Sequence, residues 1–379
     1  MMQRKLFRLL ESIGNSMRIL IDLTSLADNF SGIERYAACL AKEMIKDESI
    51  EFVLLFKNEV HPMFKNEINN TKKVVIHGCN KLIFNQVRLP SIIYKIKADY
   101  YLFLAFPVPV LLFKKNMIST IHDICCWDCP ETMNGLSKWY FRISHRIALK
   151  KCKAIITISE FSKQRIVNKL KYDKNKVWLI YCGVDNKFLD YKKSVDSTIR
   201  VREKYELPNN YILSLSTLEP RKNLELLIKV YTSLIIDGKI NVPLVLAGRK
   251  GWKMDEVLSE IDEIVREKIL FTGFVEDEDL PAVYGNADLF VFPSMYEGFG
   301  MPPLEALACG TKVLSSNSTS LPEVLGDASI YFENMNFDSL YESLSKCNVD
   351  VEKSVMNNQV QKYSWGIEAR KLIEYMRRN

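Results

Sequence analysis

No apolar run in this chain reaches the ~18 residues that a helix needs to cross a bilayer. The longest candidate, Tyr100 to Phe113, is interrupted by Pro107 and Pro109. Met1 to Ser16 lacks the sustained apolar core and small-residue cleavage site of a secretory signal, so the expected location is the cytoplasm. No G-x-G-x-x-G follows a strand-like run, which argues against a NAD-dependent oxidoreductase. No D-x-D pair follows a strand in the way a metal-chelating transferase needs, so no metal and no cofactor are expected. The Cys125-Cys126-x-x-Cys129 cluster, with His122 and His145 nearby, has no second Cys pair, whereas a structural zinc site usually uses two knuckles. The nine cysteines are odd in number and scattered, and read as reduced buried thiols. A basic recognition helix, a Cys/His finger and an aromatic RNA-binding motif are all missing, so nucleic acid is not an expected partner. Internal repeats and low-complexity tracts are absent too.

What is present is a globular α/β chain. Its 379 residues, 47% hydrophobic, suffice for two domains at the usual ~150 residues each. Met17 to Asp22, Ile50 to Phe56, Val74 to His77, Tyr100 to Leu104, Met117 to Ile121, Ala154 to Ile158 and Val177 to Tyr181 read as strands. Helical stretches such as Leu136 to Lys150 and Phe161 to Lys169 separate several of them, which implies a parallel sheet. A polar segment at 186–207 suits an exposed interdomain connection. Tyr211 to Ser216 starts a second series, continued by Val242 to Gly248, Ile269 to Gly273 and Leu289 to Phe292. Tyr363 to Tyr375 is amphipathic, with Ser364 as its cap and Trp365, Ala369 and Leu372 on its buried face. Leu6, Leu9, Leu10 and Ile13 share a helical face beside Arg4, Lys5 and Arg8, either an interfacial helix or a frayed extension ahead of a start at Met17.

Charge is divided unevenly. Residues 1–190 carry 30 Lys and Arg against 18 Asp and Glu, a surplus of +12, and residues 191–379 carry 22 against 28, or −6. The basic half suits an anionic surface, through Lys95 and Lys97, Lys114 and Lys115, and the Arg142, Arg146, Lys150, Lys151 series. Arg142, Arg146 and Lys150 recur every four residues and so share a helical face.

The most informative stretch runs from Ala287 to Gly310. A short apolar strand leads into a loop with Gly298, Phe299 and Gly300; Pro302 and Pro303 then open a helix that Gly310 closes. Glycines allow close approach of a ligand, and a helix N-terminus favours an anion. Glu297 and Glu305 bracket the loop, and carboxylates suit hydroxyls rather than phosphate. A ligand with central phosphates and polyols at both ends, a nucleotide-sugar, fits both features. Arg221 and Lys222 open another helix, where cations oppose the dipole by ~0.3–1 kcal/mol each. Charge-assisted hydrogen bonds of ~1.5–3 kcal/mol would more than offset this once an anion binds. Gly32 sits at the first strand-to-helix junction. His122 and Asp123 lie beyond the C-terminal end of a strand, where ligands of open parallel sheets sit. His122 is either a functional group or a hydrogen-bonded structural one, and Asp123 either orients the imidazole or binds an acceptor hydroxyl.

The Glu297-Gly-Phe-Gly-x-Pro-Pro-x-Glu305 string resembles the E-x7-E signature of the retaining family 4 glycosyltransferases. Thr311 to Ser316 and Leu321-Pro322-Glu323-Val324 are also similar to that family, and the likeness runs from about Met17 to the C-terminus. It implies a GT-B fold: two Rossmann-like domains facing a central cleft, at 17–190 for the acceptor and 208–362 for the nucleotide-sugar, with 363–379 returning to the first domain. In the family the first acid lies at the transferred sugar and the second at the ribose, which places Glu297 and Glu305. The matching Arg221 and Lys222 hold the diphosphate, the backbone near Phe274 and Val275 the base, and Gly298 to Gly300 face the sugar. A glycine at the Gly32 position lets the donor pass closely, and a functional His is frequent at the His122 position. The strings from Leu218 to Asn223, Phe271 to Gly273 and Glu297 to Glu305 most resemble bacterial mannosyl- or rhamnosyl-type transferases of surface polysaccharide assembly. The resemblance thus implies a hexose, mannose from GDP-mannose, moved with retention to a glycan or lipid-linked glycan. A catalytically silent nucleotide-sugar or polysaccharide-binding protein of the same fold is the alternative.

Overall fold

The computed structural model describes residues 16–26, 32–78, 83–249, 263–346 and 351–379. The amphipathic stretch Leu6 to Ile13, Ser31 and the Lys250-Gly251-Trp252 turn lie outside the described residues.

The first sheet contains β1 (Arg18–Asp22), β2 (Glu51–Lys57), β3 (Thr71–Ile76), β4 (Tyr100–Phe103), β5 (Met117–Thr120), β6 (Ala154–Thr157) and β7 (Val177–Leu179). The second contains β8 (Ile212–Leu215), β9 (Leu244–Ala247), β10 (Ile269–Gly273), β11 (Leu289–Phe292), β12 (Val313–Ser316) and β13 (Ile330–Phe332). Their orders are β3-β2-β1-β4-β5-β6-β7 and β10-β9-β8-β11-β12-β13, and the pairings are parallel throughout. Each order reverses direction once, beside β1 and beside β8, and such switch points open crevices at the C-terminal strand ends.

Strand alternation builds the layers. Ile19 and Ile21 of β1 face a core shared with Phe290 and Phe292 of β11, whereas Leu20 faces a second cluster and Val291 a third. Both faces of each sheet are therefore covered, as the continuous apolar strands require.

The helices that frame the cleft are α1 (Gly32–Met44), α2 (Gly135–Lys151), α3 (Glu160–Leu170), α4 (Val195–Tyr205), α5 (Leu224–Ile236), α6 (Leu280–Gly285), α7 (Met301–Ala308) and α8 (Trp365–Arg378). Capping starts α2 and α3: the Asn134 side chain accepts from Leu136 N at 3.1 Å and Ser159 Oγ from Ser162 N at 3.1 Å. The segment expected to be an exposed connection contains α4 instead. Ser194 and Ser197 close a reciprocal capping box on it, and Val201 and Tyr205, four apart, bury one face. Polar composition described only the other face.

The C-terminal helix α8 lies on the first domain. Trp365 Nε1 donates to Asp185 Oδ1 at 2.9 Å, Tyr100 OH to the Met376 carbonyl at 2.7 Å, and Tyr375 stacks on Trp178 with centroids 5.1 Å apart. A Cβ at Gly183 would sit 2.3 Å from Trp365 N, so the chain returns against a glycine. Ser364 occupies the N-cap position, but its side chain makes no capping bond.

Candidate active site

The loop after β11 belongs to the second domain yet leans on the first. Gly300, at φ +100°, turns the chain into α7, where Pro302 and Pro303 fall in the first turn and lose little for want of an N–H. At Gly298 a Cβ would lie 2.7 Å from the His122 carbonyl oxygen and 3.1 Å from Asp123 Cβ. The glycine read from sequence as room for a ligand is, in the fold, room for the opposite domain. Glu305 falls in the second turn of α7. Gly310, at φ +79°, follows the end of the helix as expected.

The predicted site residues converge. Gly32, His122 and Asp123 from the first domain, and Arg221, Lys222, Phe274, Val275, Glu297, Gly298, Phe299, Gly300 and Glu305 from the second, line one interdomain cleft of about 450 Å³. Although Phe299 lines the cleft, its ring is buried, edge-on to Tyr363 at 5.3 Å and tilted against Tyr181 at 6.2 Å. Its side chain anchors the loop, because a large apolar ring gains more in that aromatic cluster than beside a polar ligand.

Glu297 is the electrostatic centre. Its Oε1 accepts from Lys222 Nζ at 2.5 Å and from Ser294 Oγ at 2.6 Å, and its Oε2 lies 3.4 Å from Arg221. Burial raises the carboxyl, but Lys222 and Arg221 outweigh it and hold Glu297 below the usual carboxylate range. Arg221 also donates to Glu219 Oε1 at 2.9 Å and to the Tyr296 carbonyl at 2.8 Å. Both cations sit in a 3-10 turn, Pro220–Lys222, one left-handed residue (Asn223, φ +54°) ahead of α5. They are therefore oriented by Glu297 and Glu219 rather than by the helix axis alone.

Glu305 is held in a different network. Tyr284 OH donates to its Oε2 at 3.2 Å, and Arg35 of α1 lies 3.9 Å from its Oε1. Burial raises the Glu305 carboxyl, with Arg35 opposing. The Arg35 guanidinium is 3.5 Å from Asp185 and also pairs with Asp277, to which Lys187 donates as well. Sequence reasoning missed Arg35, although a cation in the first turn of α1 opposes the dipole by the same rule that singled out Arg221 and Lys222. Asp277 and Asp279 do form a D-x-D string, but Asp277 is paired as described and Asp279 meets Arg200 at 2.9 Å and Lys204 at 2.7 Å. Among the described residues no group of three or more His, Cys, Asp and Glu is placed to hold a metal ion.

His122 Nε2 lies 3.0 Å from the Leu104 carbonyl, and the ring is edge-on to Tyr36 at 5.1 Å. Bonding to a carbonyl makes Nε2 the protonated nitrogen. Burial pulls the imidazole down to about 4, with Asp123 opposing, so His122 is neutral near pH 7. Asp123 Oδ1 accepts from Cys125 N at 2.8 Å. His145 is likewise pulled by burial to about 4. An unfolded chain with ordinary histidines binds more protons than the fold between about pH 6.5 and 4, so stability should fall as pH drops through that window. Urea midpoints across the range should decline, and less steeply in His145→Gln; an equal slope in the variant would remove His145 from this account.

Two further contacts tie the domains. Tyr296 OH donates to Asp128 at 3.0 Å, and Glu323 caps α3, accepting from Glu160 N at 2.7 Å and Phe161 N at 3.0 Å. In the second domain, Gly248 carries φ +133°, and a Cβ there would lie 1.8 Å from the Ser216 carbonyl oxygen. Gly248→Ala is therefore expected to cost at least ~2 kcal/mol from strain and overpacking together. A thermal melt within one degree of the parent would contradict that geometry.

Residues 30–188 match the family described as Glycosyltransferase Family 4, and residues 195–356 match the one described as Glycosyl transferases group 1. Fold, motif and both matches agree: the chain belongs to the family 4 glycosyltransferases of the GT-B fold. It is 36% identical over 228 residues to the O-antigen chain mannosyltransferase B of Escherichia coli, spanning 60% of this chain and 59% of that protein. It is 34% identical over 242 residues to the serotype-specific mannosyltransferase WbdA of Escherichia coli, spanning 62% of this chain but 30% of WbdA. The chain thus covers under two thirds of the length of these two relatives. The crystal structure of Anabaena HepE with UDP and glucose (TM-score 0.72, 17% identity, 96% of this chain and 100% of that one) and the solved structure of sucrose-phosphate synthase from Thermosynechococcus elongatus (TM-score 0.73, 17% identity, 96% and 98%) share the fold. Among the described residues no helix is long and apolar enough to cross a membrane.

Proposed function

We propose that this chain is a retaining glycosyltransferase that moves a hexose, mannose from GDP-mannose, onto a glycan or lipid-linked glycan in surface polysaccharide synthesis. The observation that carries this reading is the convergence of Glu297, Arg221, Lys222 and Glu305 with His122 and Gly32 on one cleft at the strand ends. The mannosyltransferase relatives support the sugar. In the reaction the bond from the anomeric carbon to the phosphate oxygen breaks, and its electron pair leaves with the nucleoside diphosphate. Arg221 and Lys222 stabilise that charge, together with the Gly298 to Gly300 backbone. An acceptor hydroxyl oxygen forms the new bond on the same face, and its proton passes to the departing phosphate. Glu297 fixes the sugar hydroxyls while orienting both cations, and Glu305 holds the ribose. His122, neutral and donating to Leu104, acts as a fixed polar wall rather than a proton carrier at pH 7. The chemistry needs no metal, and the basic first domain works at an anionic membrane that holds the acceptor.

Thermal-shift screening of nucleotide-sugars tests donor choice, because a bound ligand raises stability by mass action. Proton NMR of the product with GDP-mannose should show the donor's anomeric configuration, unchanged by a chelator. An inverted centre, or activity lost to chelation and restored by a divalent ion, would overturn the mechanism. Donor binding without turnover on any glycan would favour the silent-binder reading.

A further inference from the structure

The first domain exposes apolar side chains on one continuous face. On α2, Leu136 is 86% exposed, Trp139 58% and Ile143 53%, and their spacing of three and four puts them on one helical side. Leu111 and Phe113, in the stretch after β4, are 55% and 66% exposed. Val87 and Tyr94 add a third segment. Direct contacts join the three. Tyr94 OH donates to the Leu111 carbonyl at 3.2 Å and accepts from Phe113 N at 2.8 Å. Val110 N donates to Gln86 Oε1 at 2.8 Å. Lys151, the last residue of α2, lies 3.5 Å from the Phe113 ring centroid. Large exposed apolar patches mark interaction surfaces.

Acidic side chains are missing from the segments that build this face. Residues 68–98, 100–122 and 132–159, which supply all three segments, contain no Asp or Glu. Arg88, Lys115, Arg146 and Lys150 are exposed. Arg142, expected from sequence to belong to that basic row, has another role. Its Nε donates to the Cys126 carbonyl at 2.7 Å, and its guanidinium lies 5.0 Å from the Trp127 ring and 5.6 Å from that of Trp139. It braces Trp139 outward rather than joining the rim.

We propose that this face docks on an anionic lipid bilayer, with Leu136, Trp139, Ile143 and Phe113 entering the interface and Arg88, Lys115, Arg146 and Lys150 meeting the headgroups. Apolar insertion combined with cations worth ~1 kcal/mol each gives reversible interfacial binding. Tyr140 on α2, with Gln86, also lines a separate cavity of about 470 Å³ that contains Asp22, Glu34 and Glu59. Docking by this face would turn that cavity toward the membrane, and its carboxylates suit the hydroxyls of a neutral, lipid-held glycan. The inference deepens the membrane reading above, and depends on the transferase reading only for the identity of the held molecule.

Cosedimentation of the full chain with phosphatidylcholine vesicles, with and without phosphatidylglycerol, tests the docking apart from turnover. Pelleting is expected with phosphatidylglycerol and should weaken with salt. L136S/W139S/I143S should lower the partition coefficient at least ~10-fold, with an unchanged melting temperature. R88E/K115E/K150E should abolish the preference for anionic lipid. No pelleting of the parent chain, or a triple serine variant that pellets like the parent, overturns the proposal. So does a chain without residues 1–16 that no longer binds, which assigns docking to the leading segment. A dimer in light scattering that dissociates in the serine variant assigns the face to a second copy. Nucleoside diphosphate binding, followed by thermal shift, should be equal in all variants; its loss in the parent would count against the transferase reading and leave the docking result intact.

Discussion

Glu297→Gln is expected to lower the melting temperature of the ligand-free chain by several degrees and to cut turnover at least ~100-fold. The stability effect follows from the buried pair. The change leaves Lys222 within a site whose anion has gone, while Arg221 keeps Glu219 at 2.9 Å. Breaking a buried pair from one side costs ~3–5 kcal/mol, and glutamine recovers part of this by accepting a hydrogen bond. A nucleoside diphosphate supplies the missing negative charge. The variant should therefore show a larger thermal shift with GDP or UDP than the parent chain, even while transfer is lost. A variant that melts with the parent and shifts equally with ligand would mean that Glu297 does not hold the two cations. Retained turnover would remove it from the sugar site.

Lys222→Ala should weaken nucleoside diphosphate binding by ~1.5–3 kcal/mol, a loss of roughly ten- to more than a hundredfold in Kd. Two contributions act in the same direction. One charge-assisted donor is deleted, and Glu297, now facing only Arg221 at 3.4 Å, is less completely neutralised and repels the incoming phosphates. Arg221→Ala should weaken binding similarly and also free Glu219 and the Tyr296 carbonyl, which Arg221 now holds. Calorimetry with GDP and UDP checks both. Unchanged affinity in the two variants would place the diphosphate elsewhere in the cleft.

Apart from β13, the strand series was legible in local patterns, as were the two-domain parallel architecture and the stretch that carries the candidate chemistry. Those features are local: an apolar run such as Leu289 to Phe292 is a buried strand almost regardless of context, and two prolines followed by Gly310 bound a helix wherever it packs. The family resemblance rested on the same contiguous strings. What these residues touch depends instead on packing between distant segments. From sequence, Glu297 is one of two acids that bracket a loop; in the fold it is the buried counterion of Lys222, 75 positions away. Gly298 is needed for the His122 carbonyl across the cleft as much as for any ligand. Phe299 turns into an aromatic cluster built with Tyr181 and Tyr363, and Arg35 gathers three carboxylates that nothing near it in the chain announces. The polar stretch around Val201 and Tyr205 folds as a helix because a face of the second domain exists for those two residues to cover. In each case the interaction spans dozens of residues or more. Its energy depends on burial and on the charge of the partner, and neither quantity exists until the chain has folded and brought the distant segments together.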